Sequence, residues 1–331
     1  MLNEFSLIRR YFSRHKNSSD AAILSVGDDC ALLAPTPGKV LAVSTDMLVE
    51  GRHFFAGADA RALGHKTLAV NLSDLAAMGA TPRAFTLALA LPAIDEAWLA
   101  DFSDGLYALA ERAGCALIGG DTTKGPLTLC VTVFGDVDAH TALRRDAARD
   151  GDDIWISGTL GDARLALGAL RDEWPLDAHA LDAARRAMDQ PEPRLALGAA
   201  LAGVAHAALD ISDGLAGDLM HILERSDMSA RVDLDALPRS TLLARQPADI
   251  QRLCTAAGGD DYELCFTAPV DARARIEDAG ARAGVRVTRV GTITAFNAEA
   301  HANAGAARLV WTDGRGQPVT PALRGFDHFN D

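Results

Sequence analysis

The chain has 331 residues, 49% hydrophobic and 23% charged, with 45 acidic residues against 32 Lys and Arg and a formal net charge of −13. That length favours two domains over one core, and the composition is that of a globular protein and excludes disorder. Diffuse acidity argues against a nucleic-acid partner, because phosphate would be repelled; the densest basic pairs, Arg144-Arg145 and Arg185-Arg186, are short and flanked by aspartate.

The first twenty residues, MLNEFSLIRRYFSRHKNSSD, carry charges throughout and lack the apolar stretch of a secretory signal. Residues 4–15 predict an amphipathic helix, with Phe5, Leu7, Ile8, Tyr11 and Phe12 at helical spacing. A strand in KVLAVSTDM precedes an alanine- and leucine-rich helix over residues 60–78, which Gly79 should cap. A strand in AFTLALAL, a helix over residues 95–113, a short strand in CALIGG and a strand in PLTLCVTVFGDV complete a mixed α/β unit. The apolar run AFTLALALPAI is too short to span a bilayer, so no membrane partner is expected.

The polar stretch RRDAARDGDDIWISG places a domain boundary within residues 137–150, giving expected domains 1–140 and 141–331. Helices are expected over residues 162–171, 178–189 and 193–203, then a strand HAALDIS, a helix over 215–226 and a strand ARVDL. A βαβ-like end runs from YELCFTA to VRVTRVGTI. The five cysteines form no CxxC pair and read as reduced thiols used as small hydrophobes in apolar strands of a cytoplasmic protein.

Six aspartates stand out: Asp29 in SVGDDCALL, Asp46 in AVSTDML, Asp74 in NLSDLAAMGA, Asp121 in IGGDTT, and Asp210 and Asp213 in LDISDGL. Each has a structural explanation, since Asp, Ser and Thr cap helices and GGD and GDD make turns. Asp74 is the exception, because it sits inside an apolar helix where a buried carboxylate must be paired, hydrogen-bonded or bound to a cation. Were several of these carboxylates to converge, their repulsion would demand divalent cations. Oxygen donors, with Ser44 and Thr45 nearby and no His/Cys cluster, select Mg²⁺, which usually shares its shell with phosphate. The glycines of IGGDTT would let backbone N–H groups approach phosphate oxygens. No P-loop is present, because His65 separates Gly64 from Lys66, and the protein-kinase motifs are missing. Phosphoryl transfer without them would rest on positioning and metal charge rather than on an acid or base.

The segments GDDCA, STDMLVEGRHF, KTLAVNLSDLAAMGA, LIGGDTTKGP, LDISDGL, GGDDYELCF and GFDHF together resemble the bacterial thiamine-monophosphate kinase family, of the superfamily of aminoimidazole-ribotide synthetase and selenide, water dikinase. They span nearly the whole chain in the family's order. The resemblance implies an α/β fold in two synthetase-like domains: an N-terminal mixed sheet that pairs into a barrel across a homodimer, and a C-terminal α/β sandwich. It implies ATP-dependent phosphorylation of thiamine monophosphate to thiamine diphosphate, the last step of that cofactor's biosynthesis, with several Mg²⁺ ions. Asp29, Ser44, Thr45, Asp46, Asp74, Asp121, Asp210 and Asp213 would then be metal ligands. Gly120, Asp121, Arg145 and Ser212 would contact ATP, and His53, Asp260 and Phe326 the thiamine side.

Two positions depart from the family pattern. Asp260 stands where the motif reads Glu, so that either the carboxylate reaches less far or Glu263 takes over part of its role. Phe326 stands where Tyr or Trp is common, which keeps the ring and loses a hydrogen-bonding group. His53 reads equally as a half-buried turn histidine, Lys124 as a solvated loop lysine, and Arg144 as the surface neighbour of Arg145. Trp98, Trp155, Trp174 and Trp311 read as packing residues. The alternatives are another ATP-using synthetase of the superfamily, disfavoured as a selenide dikinase because Cys30 reads as a strand start, and a non-catalytic nucleotide-binding relative, which should have lost metal ligands.

Overall fold

The computed structural model describes residues 4–13, 22–297 and 307–320. The chain divides into two compact units, residues 1–75 with 80–140, and residues 76–79 with 141–331.

In the first unit, α1 (Glu4–Leu7) runs into a π-helical turn, Ile8–Phe12, instead of continuing as one helix to residue 15. The wider turn brings Leu7, Tyr11 and Phe12 inward together, all buried, and the Tyr11 hydroxyl donates to the Glu96 carbonyl. A small ladder of β1 (Ala22–Leu24) and β2 (Leu32–Leu33) follows. The main sheet holds β3 (Val40–Val49), β4 (Thr81–Leu91), β5 (Ala116–Lys124) and β6 (Thr128–Val137) in the order β3-β6-β4-β5. Its only parallel pair is β4–β5, as expected for strands joined through a helix.

Two helices belong to this sheet's neighbourhood, α2 (Ala60–Ala77) and α3 (Glu96–Ala113). Asp95 caps α3 by accepting from the N–H groups of Ala97 and Trp98, and Gly114 closes it at φ 63°. The two helices meet backbone to backbone at Gly64 and Gly105. A Cβ on Gly64 would lie 2.0 Å from the Phe102 carbonyl oxygen, and one on Gly105 would lie 1.9 Å from that of Arg61.

Strand β5 does not stop at CALIGG but continues through Lys124. The pairing skips one residue between Leu117 and Gly119, and Gly120 takes φ 149° with its Cα facing the Leu87 carbonyl, 1.8 Å from where a Cβ would sit. Only glycine admits that approach, so a sequence that looks like a turn serves as a bulged strand.

The second unit is built on a seven-stranded sheet. Its strands are β7 (Asp153–Ser157), β8 (Ala207–Asp210), β9 (Met228–Asp233), β10 (Leu264–Ala268), β11 (Val287–Ala295), β12 (Leu309–Thr312) and β13 (Pro318–Val319). They lie in the order β13-β12-β9-β11-β7-β10-β8. The end of the chain is a split unit: β10 and β11 flank β7, each antiparallel to it. Helices α4 (Asp162–Leu170), α5 (Ala178–Asp189), α6 (Leu195–Leu201), α7 (Leu215–Arg225), α8 (Ala248–Ala257) and α9 (Arg273–Ala283) complete the unit. Strands β7, β8 and β10 are buried along their whole length, and Leu209, Ile211, Leu219, Ile222, Ile156 and Ile293 share one core. Trp155 stacks on Phe266 and Trp98 on Phe102, as packing residues should.

All five cysteines are free thiols, and Cys115, Cys254 and Cys265 are buried. Cys30 is corrected on both counts: it is exposed and lies in a bend ahead of β2, because the two strands of this ladder are too short to include it.

On a solvated helix Gly→Ala is stabilising by about 1 kcal/mol. At the α2–α3 contact the sign should reverse: Gly64→Ala is expected to cost about 1–3 kcal/mol through overpacking, read as a thermal midpoint lowered by several degrees.

Candidate functional site

In the first unit, Ser44 and Asp46 alternate with exposed Thr45 and Met47 along β3. The Ser44 hydroxyl donates to Asp74 Oδ2 at 2.5 Å, and the Asp46 N–H donates to Asn71 Oδ1 at 3.1 Å. Asn71 and Asp74 are three apart on α2, so one helix face holds both polar positions of the strand. Asn71 is 1% exposed and also donates to the Thr67 carbonyl. Asp74 is half-buried rather than sealed, with the Ser44 hydroxyl bonded to one of its oxygens.

The sheet separates the remaining residues by face. Paired residues share a face, and the row Asp46–Val131–Leu87–Gly120 lies on the side that carries Ser44. The row Met47–Cys130–Ala88–Asp121 lies on the other, with Thr45, whose hydroxyl is 2.8 Å from that of Thr132. Asp29 is exposed in the bend before β2. Thus the structure joins Ser44 to Asp74 and Asp46 to the same helix, and sets the side chains of Thr45 and Asp121 on the opposite face. Among the described residues, no three Asp, Glu, His or Cys side chains gather to hold a metal by themselves.

His53 is half-buried in the turn after β3, where its Nδ1 accepts the Val49 N–H at 3.0 Å. That bond sets the neutral ring's proton on Nε2.

In the second unit, β8 ends at Asp210, which is 5% exposed, and the turn Ile211–Gly214 leads into α7. Asp218, in the first turn of α7, accepts the N–H groups of both Ser212 and Asp213 on its Oδ2, each at 3.1 Å. Burial pushes its carboxyl up to about 7, and the negative charge of Asp213 adds to this, while the two N–H bonds and Arg145 oppose it. Arg144 is engaged with Asp146 in an exposed ion pair.

The GGDDYE loop packs on the same turn. The Asp260 N–H donates to the Ser212 carbonyl at 2.7 Å and the Tyr262 N–H to the Ile211 carbonyl at 2.8 Å. Asp260 and Tyr262 both hold left-handed φ values, 71° and 52°, a strain that non-glycine residues keep only where the surroundings impose it. Glu263 is engaged by other residues: it is 4% exposed, accepts from the Ser157 hydroxyl at 2.5 Å, and is gripped by Arg194 through Nε at 2.7 Å and through Nη2. Asp261 accepts the Gly161 N–H at 2.9 Å, while its Oδ2 is buried and meets no donor. Burial pushes its carboxyl well above the ordinary range, and the charges of Glu263, Asp162 and Asp260 add to that. Phe326 lies outside the described residues.

Asn71, Asp218 and the Arg194–Glu263 pair escaped the reading of the sequence. Asn71 had a signal, an amide inside an apolar helix. Asp218 had a weaker one, an acid in a first helical turn, which ordinarily needs no explanation beyond the helix dipole.

Two domain families match the chain: AIR synthase related protein, N-terminal domain, over residues 27–137, and AIR synthase related protein, C-terminal domain, over residues 149–301. The fold is thus of the AIR synthase-related class. A thiamine-monophosphate kinase of Salmonella typhimurium is 45% identical over 98% of each chain. A crystal structure of thiamine-monophosphate kinase from Stenotrophomonas maltophilia is 47% identical and superposes with a TM-score of 0.83 over 89% of this chain and 95% of that one. A structure of AaThiL complexed with AMPPCP and TMP is 27% identical, with a TM-score of 0.74 over 89% of each chain. The chain belongs to the thiamine-monophosphate kinase family.

The half-buried Asp261, whose Oδ2 is buried without a donor, carries a pH signature. In the folded chain it keeps its proton where an unfolded aspartate, with a pKa of about 3.9, has lost it, so its contribution to stability falls as pH rises above that value. Asp261→Asn cannot ionise, and its urea midpoint should decline less steeply between pH 4.5 and 7 than that of the parent. Parallel midpoint curves would contradict this assignment.

Proposed function

We infer that the chain transfers the γ-phosphoryl group of ATP to the phosphate of thiamine monophosphate, giving thiamine diphosphate and ADP. The observation that carries this reading is 45% identity over 98% of the chain to an enzyme named thiamine-monophosphate kinase. The AaThiL complex with AMPPCP and TMP supports ATP and thiamine monophosphate as the two substrates.

The donor chemistry supports Mg²⁺ as the metal. Asp29, Ser44, Thr45, Asp46, Asp74 and Asp121 of the first unit, and Asp210 and Asp213 of the second, offer only oxygen. Mg²⁺ takes few protein ligands and completes its shell with water and phosphate. Bound Mg²⁺ would neutralise the triphosphate and the charge on the transferring phosphoryl group.

The chain's own residues would hold and orient the reactants. Gly120, Asp121, Arg145 and Ser212 contact ATP in this reading. His53, Asp260 and Phe326 contact thiamine monophosphate. His53 would donate from Nε2, its Nδ1 being used by the Val49 N–H. No side chain is needed as general acid or base, since the attacking phosphate oxygen is already ionised at neutral pH. The N-terminal domain, residues 1–140, would serve metal, ATP and dimerisation, and residues 141–331 would complete nucleotide and substrate binding.

A homodimer is supported by the first unit's sheet. Strand β3 is a ten-residue edge, and on one face Leu41, Val43 and Met47 are 51%, 56% and 54% exposed. A long apolar edge strand that no described residue covers invites a second chain, and pairing of two such sheets would bury it. No described helix is long and apolar enough to cross a membrane.

Incubation with ATP, Mg²⁺ and thiamine monophosphate should yield thiamine diphosphate, whereas unphosphorylated thiamine should not be turned over; equal use of both would overturn the reading. Asp74→Asn should lower turnover by about 10²-fold or more with the thermal midpoint kept within a few degrees, separating a metal role from a packing one. Val43→Asp with Met47→Glu should convert a dimer to a monomer in sedimentation velocity.

A further inference from the structure

We propose that Asp218 is a positioning residue of the phosphoryl-transfer site: one of its carboxylate oxygens fixes the Ser212–Asp213 turn and occupies the anion position at the start of α7. The proposal rests on the reading above that Ser212 and Asp213 serve ATP and Mg²⁺.

The N–H groups of Ser212 and Asp213 are consecutive donors ahead of a helix, an arrangement that elsewhere cradles a phosphate. Here both are taken by Asp218 Oδ2 at 3.1 Å each. Gly214 at the helix start supplies no side-chain cap, and at φ 106° its Cα is pressed against Ala257, 2.8 Å from where a Cβ would sit. Asp218 is 5% exposed, so this is not a solvated surface cap. The charged groups acting on it are Asp213, unfavourably, and Arg145, favourably. A carboxylate buried beside another acid costs stability, so its presence calls for a role that helix capping alone does not supply.

The far side of the same turn is held as firmly. The carbonyls of Ile211 and Ser212 accept from Tyr262 and Asp260, and the Ile211 N–H donates to the Glu263 carbonyl at 2.8 Å. A Cβ on Gly259 would lie 2.4 Å from the Ser212 carbonyl oxygen, so the loop lies flat on the turn. With the N–H groups clamped by Asp218 and the carbonyls by the loop, the directions of the Ser212 and Asp213 side chains are set before any ligand arrives. Because the amides are filled, ATP would meet this turn through the Ser212 hydroxyl, and Asp213 would hold Mg²⁺, with no backbone cradle.

The geometry uses one oxygen as acceptor and does not use charge. Asp218→Asn keeps a carbonyl oxygen in place, whereas Asp218→Ala leaves two N–H groups without their acceptor. The experiment measures KM for ATP and kcat, and the rise in thermal midpoint on adding AMPPCP with Mg²⁺, for the parent, D218N, D218A and the control D213N. D218A should raise KM for ATP by about tenfold or more and lose most of the midpoint rise, while D218N stays within about threefold of the parent. Loss in D218N as deep as in D218A would overturn the proposal, since charge and not position would then be required; this comparison with the parent decides even where D218A does not fold. A parent-like KM and midpoint rise in D218A would overturn it as well. If D213N leaves the midpoint rise intact, the underlying assignment of Asp213 fails; if D213N abolishes the rise and D218A does not, only the role of Asp218 fails.

Discussion

A carboxylate drawn out of water must be given hydrogen-bond donors, and both units are arranged around that constraint. Asp74 takes the Ser44 hydroxyl, Asp136 takes Arg83 and Thr36, Glu263 takes Ser157 and Arg194, and Asp218 takes two amides of one turn. Each bond joins residues from different elements or from both sides of a turn. Supplying the donors therefore fixes the backbone that carries the candidate ligands. Asp261 differs in that its buried Oδ2 meets no donor, and burial holds its carboxyl well above the ordinary range.

The glycines act through close approach. Gly120 lets β5 bulge past Leu87, and Gly259 lets the GGDDYE loop lie on the Ser212 carbonyl. Gly158 leaves room for the Glu263 carboxylate, which stands 1.9 Å from where its Cβ would be. At these positions a methyl group would meet backbone or a carboxylate already held in a buried ion pair, so nothing nearby can yield cheaply. Composition alone makes such residues look like turn formers; here they bring main chain into contact with main chain or with a charged side chain.

The two faces of the first unit's sheet do different work. Ser44, Asp46 and Gly120 lie on the face bonded to α2, in rows that pass through buried Val131 and Leu87. Thr45 and Asp121 lie on the other face, alongside the exposed side chains of Leu41, Val43 and Met47. A strand alternates its side chains with period two, so the run Ser-Thr-Asp at 44–46 necessarily divides between them. Residues adjacent in the motif are thereby given different surroundings.

Most of the fold was legible in the sequence because it rests on periodicity and local punctuation. The long helix ending at Gly79, the capped helix after Asp95 and the apolar strands all follow from spacing within one segment. The extension of β5 through GGDTTK and the π turn at Ile8–Phe12 were not legible, since each depends on a neighbour distant in the chain. The candidate site divides in the same way. Asp74 drew notice because a carboxylate inside an apolar helix carries a cost, and Asp213 because it is one of several aspartates at turns and strand ends beside Gly, Ser or Thr. Asp218 looked like any acid in a first helical turn, and Glu263 entered only as one of two ways to make up for the shorter Asp260. Their partners, Ser212, Asp213, Ser157 and Arg194, are assigned by how the chain folds back on itself. Sequence by itself determined the residue types, the periods and the family to which they belong. Which donor meets which carboxylate was decided only by the tertiary structure, because a hydrogen bond is a matter of distance and direction between segments that the chain order leaves apart.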